Sequence, residues 1–161
     1  MTHYIALGAN LPGPQGEAPR AMCERALRWM AEIPGICVQA RSPWYSSAPV
    51  PAGNQPRFIN GVARLAGDIS PAGLLAALQA CEARAGRLRG AANAARPLDL
   101  DIIDMGGMVR DAPDPVLPHP RAHLRAFVLR PLRDVAPGWV HPRLGVTVSA
   151  LLEGVAEQDV R

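Results

Sequence analysis

The chain contains no lysine, and all 17 of its basic side chains are arginines. That excludes a Walker A phosphate loop, which ends in Gly-Lys-Ser/Thr. Any phosphate chemistry must therefore run on guanidinium groups, which clamp oxygens in pairs and stay charged. Aromatics are scarce: three Trp, two Tyr and two Phe in 161 residues. This is too few for the aromatic-rich sheet of an RNA-recognition fold, and a net charge of +3 gives little footing for nucleic acid. Cys23, Cys37 and Cys81 are odd in number and widely spaced, with no Cys-x-x-Cys. They read as reduced, mostly buried thiols. No apolar run approaches the roughly 20 residues that cross a bilayer. The start, Met1-Thr-His-Tyr-Ile-Ala-Leu-Gly8, lacks the basic and apolar regions of a signal peptide. The expectation is a cytoplasmic protein with no membrane and no nucleic-acid partner. With 48% hydrophobic and 19% charged residues, 1–161 reads as a single globular domain.

What is present concentrates in Arg96-Pro-Leu-Asp-Leu-Asp-Ile-Ile-Asp104. On a β-strand, residues i and i+2 share a face, so Asp99 and Asp101 point together while Leu98, Leu100 and Ile102 point into a core. Two carboxylates aimed the same way repel unless a cation lies between them, and hard oxygen donors suit Mg²⁺ completed by a substrate phosphate. Alone, the pair also fits a half-exposed edge strand with two solvated acids. Arg84, Arg87, Arg89 and Arg96 lie just upstream, with Arg121 and Arg125 further on. Arginines near a carboxylate pair are what phosphoryl transfer requires, and that proximity favours this reading over a solvated basic face.

The elements alternate without repeats or low-complexity linkers. A strand spans 3–7 and ends in a Gly-Ala-Asn turn. A helix spans about 19–33, with Met22, Ala26, Met30 and Ile33 at helical spacing and Pro34-Gly35 as its stop. A second strand covers 36–42. Residues 43–56 hold four prolines and read as a long loop. A third strand runs over 58–65, with Phe58, Asn60, Val62 and Arg64 on one face. Ser70 caps a second helix with the stripe Leu74, Leu75, Leu78, Cys81 and Ala85. A loop over 86–95 precedes the aspartate strand, which closes at Met105-Gly-Gly107. A proline-rich loop over 111–120, a short helix near Arg121, a buried stretch at 128–132 and a last turn or two over 149–154 complete the chain, with frayed final residues. This order predicts an α+β fold.

Two smaller groupings have candidate roles. Pro118-His119-Pro120 holds a histidine in a restrained backbone, which suits either presentation of the ring to a ligand or a structural turn. Phe58, Asn60 and Phe127 make an aromatic slot with an amide reader for a flat heterocycle, although core packing explains either phenylalanine taken alone.

The ordered set Tyr4-Ile-Ala-Leu-Gly-Ala-Asn10, Tyr45-Ser-Ser-Ala-Pro49, Gln55-Pro-Arg-Phe-Ile-Asn60, Glu82 with Gly86-Arg-Leu-Arg89, Arg96-Pro-Leu-Asp-Leu-Asp101 and Pro118-His-Pro-Arg121 with Arg125-Ala-Phe127 resembles the 6-hydroxymethyl-7,8-dihydropterin pyrophosphokinase family. The resemblance implies a ferredoxin-like α+β fold, with helices on both faces of a mostly antiparallel sheet. It implies pyrophosphoryl transfer from ATP to the pterin hydroxymethyl group in folate biosynthesis, two Mg²⁺ ions, three loops that close over the substrates, and a monomer.

By that resemblance, Asp99 and Asp101 hold the metal and Asp99, Arg87 and Arg96 serve catalysis. Gln79, Glu82, Arg89, Ile102, His119, Arg121 and Arg125 meet ATP. Ser47, Pro49, Val50, Phe58, Asn60 and Phe127 line the pterin pocket. The chain departs from the family pattern at 90–95, which is one residue shorter and lacks an Arg-Trp pair, and at Pro97, Phe58 and Pro120, where threonine, tyrosine and tyrosine occur in relatives. The alternative is a weakly active or non-catalytic pterin- or nucleotide-binding paralogue. An RNA-binding module is a third reading, disfavoured by the scarcity of aromatics.

Overall fold

Strand β1 (Thr2–Ala9) organises the molecule. Its alternation sends Ile5, Leu7 and Ala9 into one core, while Tyr4 and Ala6 pack against another. The computed structural model describes residues 1–49, 55–86 and 97–161. Helix α1 (Pro19–Ala31) starts on Pro19 and buries Met22, Cys23, Ala26 and Met30. Helix α2 (Pro71–Arg84) begins at Ser70, whose side chain accepts from Gly73 N, and buries Leu74, Leu78, Cys81 and Glu82. Both helices cover one sheet face. Met22, Met30, Leu74 and Leu78 are almost wholly withdrawn from water there, each contributing about 1.5–3 kcal/mol by burial.

The sheet is completed by β2 (Ile36–Arg41), β3 (Tyr45–Ser47), β4 (Phe58–Gly67) and β5 (Asp99–Met105), in the order β2-β4-β1-β5 with β3 also paired to β4. Every pairing is antiparallel. On the second face lie a 3-10 turn (Ala122–Leu124), α3 (Ala126–Val135) and α4 (Val148–Glu153). Val128, Leu129 and Leu132 pack with Val148, Leu152, Val62 and Ile103. Helices on both faces of an antiparallel sheet make this the α+β fold expected from the sequence.

Two expectations change. Residues 43–56 are not all loop, because Tyr45–Ser47 forms a short strand on β4. The final residues are not frayed: Val160 bridges Ser47, and Ser46 exchanges main-chain hydrogen bonds with Arg161 at 3.0 and 2.9 Å. In both cases the pairing partner is distant in sequence, and no local periodicity announces it. The cysteines are as expected: all three thiols are free, with Cys23 and Cys81 buried and Cys37 exposed.

Candidate functional site

Register places the site. Gly8 of β1 lies between Asn60 on β4 and Asp99 on β5, and Ala6 lies between Val62 and Asp101. The two aspartates therefore stand on adjacent cross-strand rows of one face, as their i, i+2 spacing requires. Leu98, Leu100 and Ile102 are buried in the opposite core. The middle strand carries only glycine and alanine in these rows, which leaves a trough between the flanking side chains. A Cβ built at Gly8 lies 3.4 Å from Asn60 Nδ2 and 3.9 Å from the Phe58 ring. The alternating small residues of Ile5-Ala-Leu-Gly8 were the sequence signal for that floor.

The trough opens into a cavity of about 430 Å³ lined by Asp99, Asp101, Arg121, Arg125, Ser47, Pro49, Phe58, Asn60 and Phe127. Nine residues expected at the site thus share one cleft. Asn60 is 5% exposed and its Oδ1 accepts from the Ser47 hydroxyl. With Oδ1 so engaged, the Nδ2 donors are what the amide has to offer a ligand, so it suits an acceptor rather than a donor–acceptor edge. Arg125 sits 5.5 Å over the Phe127 ring, a cation–π contact at the cavity wall.

Four expected residues are elsewhere. Gln79 is exposed on α2, away from the lining. Glu82 is buried, and its Oε2 accepts from Leu100 N at 2.8 Å, tying α2 to the strand between the two aspartates. The Ile102 side chain is in the core, so contact with a ligand is open only to its main chain. His119 stands behind the lining, with Nε2 4.0 Å from Asp101 Oδ1. Val50, Arg87, Arg89 and Arg96, and the 87–95 part of the loop with its missing Arg-Trp pair, lie outside the described residues. The sequence reading missed Leu124, Val128, Gln158, Asp159 and Val160, which also line the cavity.

His119 is a neutral donor here. Burial, reinforced by Arg125 and Arg121, pushes its pKa from 6.5 down to about 4, against the opposing pull of Asp99. Nδ1 accepts from Arg121 N at 3.1 Å, which leaves the proton on Nε2. The 4.0 Å approach to Asp101 is therefore not an ion pair at pH 7. The unfolded chain takes up this proton near pH 6.5 and the folded one near 4, so His119 makes stability fall as pH drops through that window. An NMR titration is expected to show His119 unprotonated down to about pH 5; a midpoint near 6.5 would refute the burial.

The donor set fits a hard cation. Among the described residues, no group of three or more His, Cys, Asp or Glu is placed to hold a metal by itself. Two carboxylates in an arginine-lined cleft suit an ion whose remaining ligands are water or phosphate oxygens.

The model of a family described as 7,8-dihydro-6-hydroxymethylpterin-pyrophosphokinase matches residues 4–137. A 2-amino-4-hydroxy-6-hydroxymethyldihydropteridine pyrophosphokinase of Pseudomonas aeruginosa is 43% identical over 134 residues, covering 83% of this chain and 80% of that protein. The enzyme of the same name from Synechocystis is 38% identical, covering 94% of this chain and 74% of that one. In fold, the HPPK-DHPS of Plasmodium falciparum superposes with a TM-score of 0.72 at 13% identity, over 96% of this chain and 44% of that longer one.

Proposed function

The chain belongs to the 7,8-dihydro-6-hydroxymethylpterin-pyrophosphokinase family and transfers a pyrophosphoryl group in folate biosynthesis; from that premise we propose that the cleft between β1, β5 and α3 is where transfer from ATP to 6-hydroxymethyl-7,8-dihydropterin occurs. The observation that carries the assignment is the joining, in one cavity, of an aspartate pair, two arginines and an aromatic–amide slot. Phosphates and a flat heterocycle are the two ligands that this chemistry suits.

In this reading Phe58 and Phe127 sandwich the pterin, Asn60 donates to it from Nδ2, and Ser47 orients that amide. Pro49 closes the pocket edge, and Val50 keeps the pterin-lining role that its motif position implies. Arg121 and Arg125 clamp the triphosphate, and neutral His119 donates to it from Nε2. Arg87, Arg89 and Arg96 keep the roles that their motif positions imply, Arg89 on ATP and the other two in catalysis. The main chain of Ile102 bounds the nucleotide side, and Glu82 acts from behind through β5; Gln79, outside the cleft, keeps only the ATP contact that its motif position implies. Asp99 and Asp101 would hold Mg²⁺, two ions by the family pattern; bound there, it would neutralise phosphate charge and polarise the β-phosphorus. The pterin hydroxyl oxygen bonds to that phosphorus as the bond to the α-phosphate oxygen breaks. AMP departs with that oxygen, and the hydroxyl proton passes to solvent. Holding the hydroxyl in line with the leaving oxygen supplies much of the acceleration.

The test is formation of AMP and the pterin diphosphate from ATP and 6-hydroxymethyl-7,8-dihydropterin with Mg²⁺. Equimolar products are expected. Tight pterin binding without AMP would instead mark a non-catalytic paralogue. We propose further that 1–161 acts as one domain and as a cytoplasmic monomer. No helix among the described residues is long and apolar enough to cross a membrane, and gel filtration tests the oligomeric state.

A further inference from the structure

Residues 158–161 lie beyond the stretch matched by the family model, which ends at 137, yet Gln158, Asp159 and Val160 line the cavity. The segment is strapped down along its length. Ala48 N donates to Asp159 O at 3.3 Å, and Arg130 Nη1 donates to Val160 O. Arg57 grips the Asp159 carboxylate with both terminal nitrogens, at 2.7 and 3.2 Å, while its Nε donates to Ser46 Oγ. That grip holds the Asp159 carboxyl below its ordinary pKa, so the ion pair persists into more acidic solution than a free aspartate would allow.

Gln158 uses this anchorage. Its Oε1 accepts from Ala126 N at 2.9 Å, and its Nε2 donates to Leu124 O at 2.9 Å. Those two groups flank Arg125, whose extended backbone joins the 3-10 turn to α3. Arg125 occupies the N-cap of α3 without a side-chain cap. The open N–H at Ala126 is satisfied instead by a glutamine 32 positions away. Gln158 is itself exposed, so the paired bonds rather than burial hold it in place.

We propose that Gln158 is a positioning residue of the transfer site, fixing the backbone on both sides of Arg125 and so setting how Arg125 and Phe127 present themselves to ATP and pterin. The proposal rests on the assignment of those two residues to the substrates. The test is steady-state kinetics and Tm of Gln158→Met, which keeps the volume of the wall but loses both hydrogen bonds, with Phe127→Ala and Arg125→Ala alongside. Gln158→Met is expected to raise KM for both substrates about three- to tenfold, with kcat within about twofold and Tm lowered by about 2–8 °C. A merely structural glutamine lowers Tm and the active fraction, reducing kcat with both KM values unchanged; that result overturns the proposal. Wild-type kinetics in Gln158→Met, with KM still raised in the two control variants, overturns the role of Gln158 alone. Wild-type KM values in the controls as well overturn the site assignment, and the proposal with it.

Discussion

Asp101→Ala and Asp99→Ala are each expected to lower AMP formation by about three orders of magnitude or more, since the charge stabilisation lost is several kcal/mol. Both side chains stand on the cleft face of β5, in the rows of Ala6 and Gly8, and neither is part of a core. Asp101 is 39% exposed at its side chain. Truncation therefore opens no buried void and removes one member of a like-charged pair, so Tm is expected to hold within about 2 °C. A second readout separates metal loss from other defects. With a non-hydrolysable ATP analogue, Mg²⁺ is expected to raise the Tm of the wild type in proportion to binding, and to raise that of either variant much less. Activity within about tenfold of wild type, or an undiminished Mg²⁺-dependent shift, would refute the metal assignment.

Glu82→Ala is expected to be the most damaging change among the residues behind the cleft. Glu82 is 7% exposed, and its carboxylate accepts from Leu100 N, midway between the two aspartates. Removing it leaves a buried main-chain donor unsatisfied, at about 1–3 kcal/mol, or a fall in Tm of about 2–12 °C for a domain of this size. It also frees the edge of β5 to shift, so kcat is expected to fall together with stability. Glu82→Gln retains an acceptor oxygen and should recover most of the loss of Tm. If Glu82 touched ATP directly, Glu82→Gln would raise KM for ATP with Tm intact. Differential scanning fluorimetry beside ATP-dependent kinetics distinguishes the two outcomes.

The contrast between these residues shows what a sequence reveals of a site. Asp99 and Asp101 were legible because a strand repeats every two residues, so spacing alone put them on one face. Ser70 was legible as a cap for the same local reason, and the phenylalanine–asparagine slot came from the face of β4 together with the resemblance. Glu82 reads as a polar interruption of an apolar stripe, and only packing of α2 on β5 gives its carboxylate a buried partner. Ser47 and Asn60 are joined across two strands whose pairing crosses a proline-rich stretch. Residues 158–161 carry no periodicity at all. Their order comes from Arg57, Ser46 and Arg130, none within 25 positions of them. Long-range pairing is the part of the fold that propensity and spacing do not encode.

The strap has a mechanical consequence as well. Arg57 does not line the cavity, yet its grip on Asp159 couples the start of β4 to the wall that holds Gln158. A disturbance at Arg57 is passed along that chain of hydrogen bonds to the backbone around Arg125. The firmness of the cleft wall thus depends on an ion pair at the outer surface of the protein.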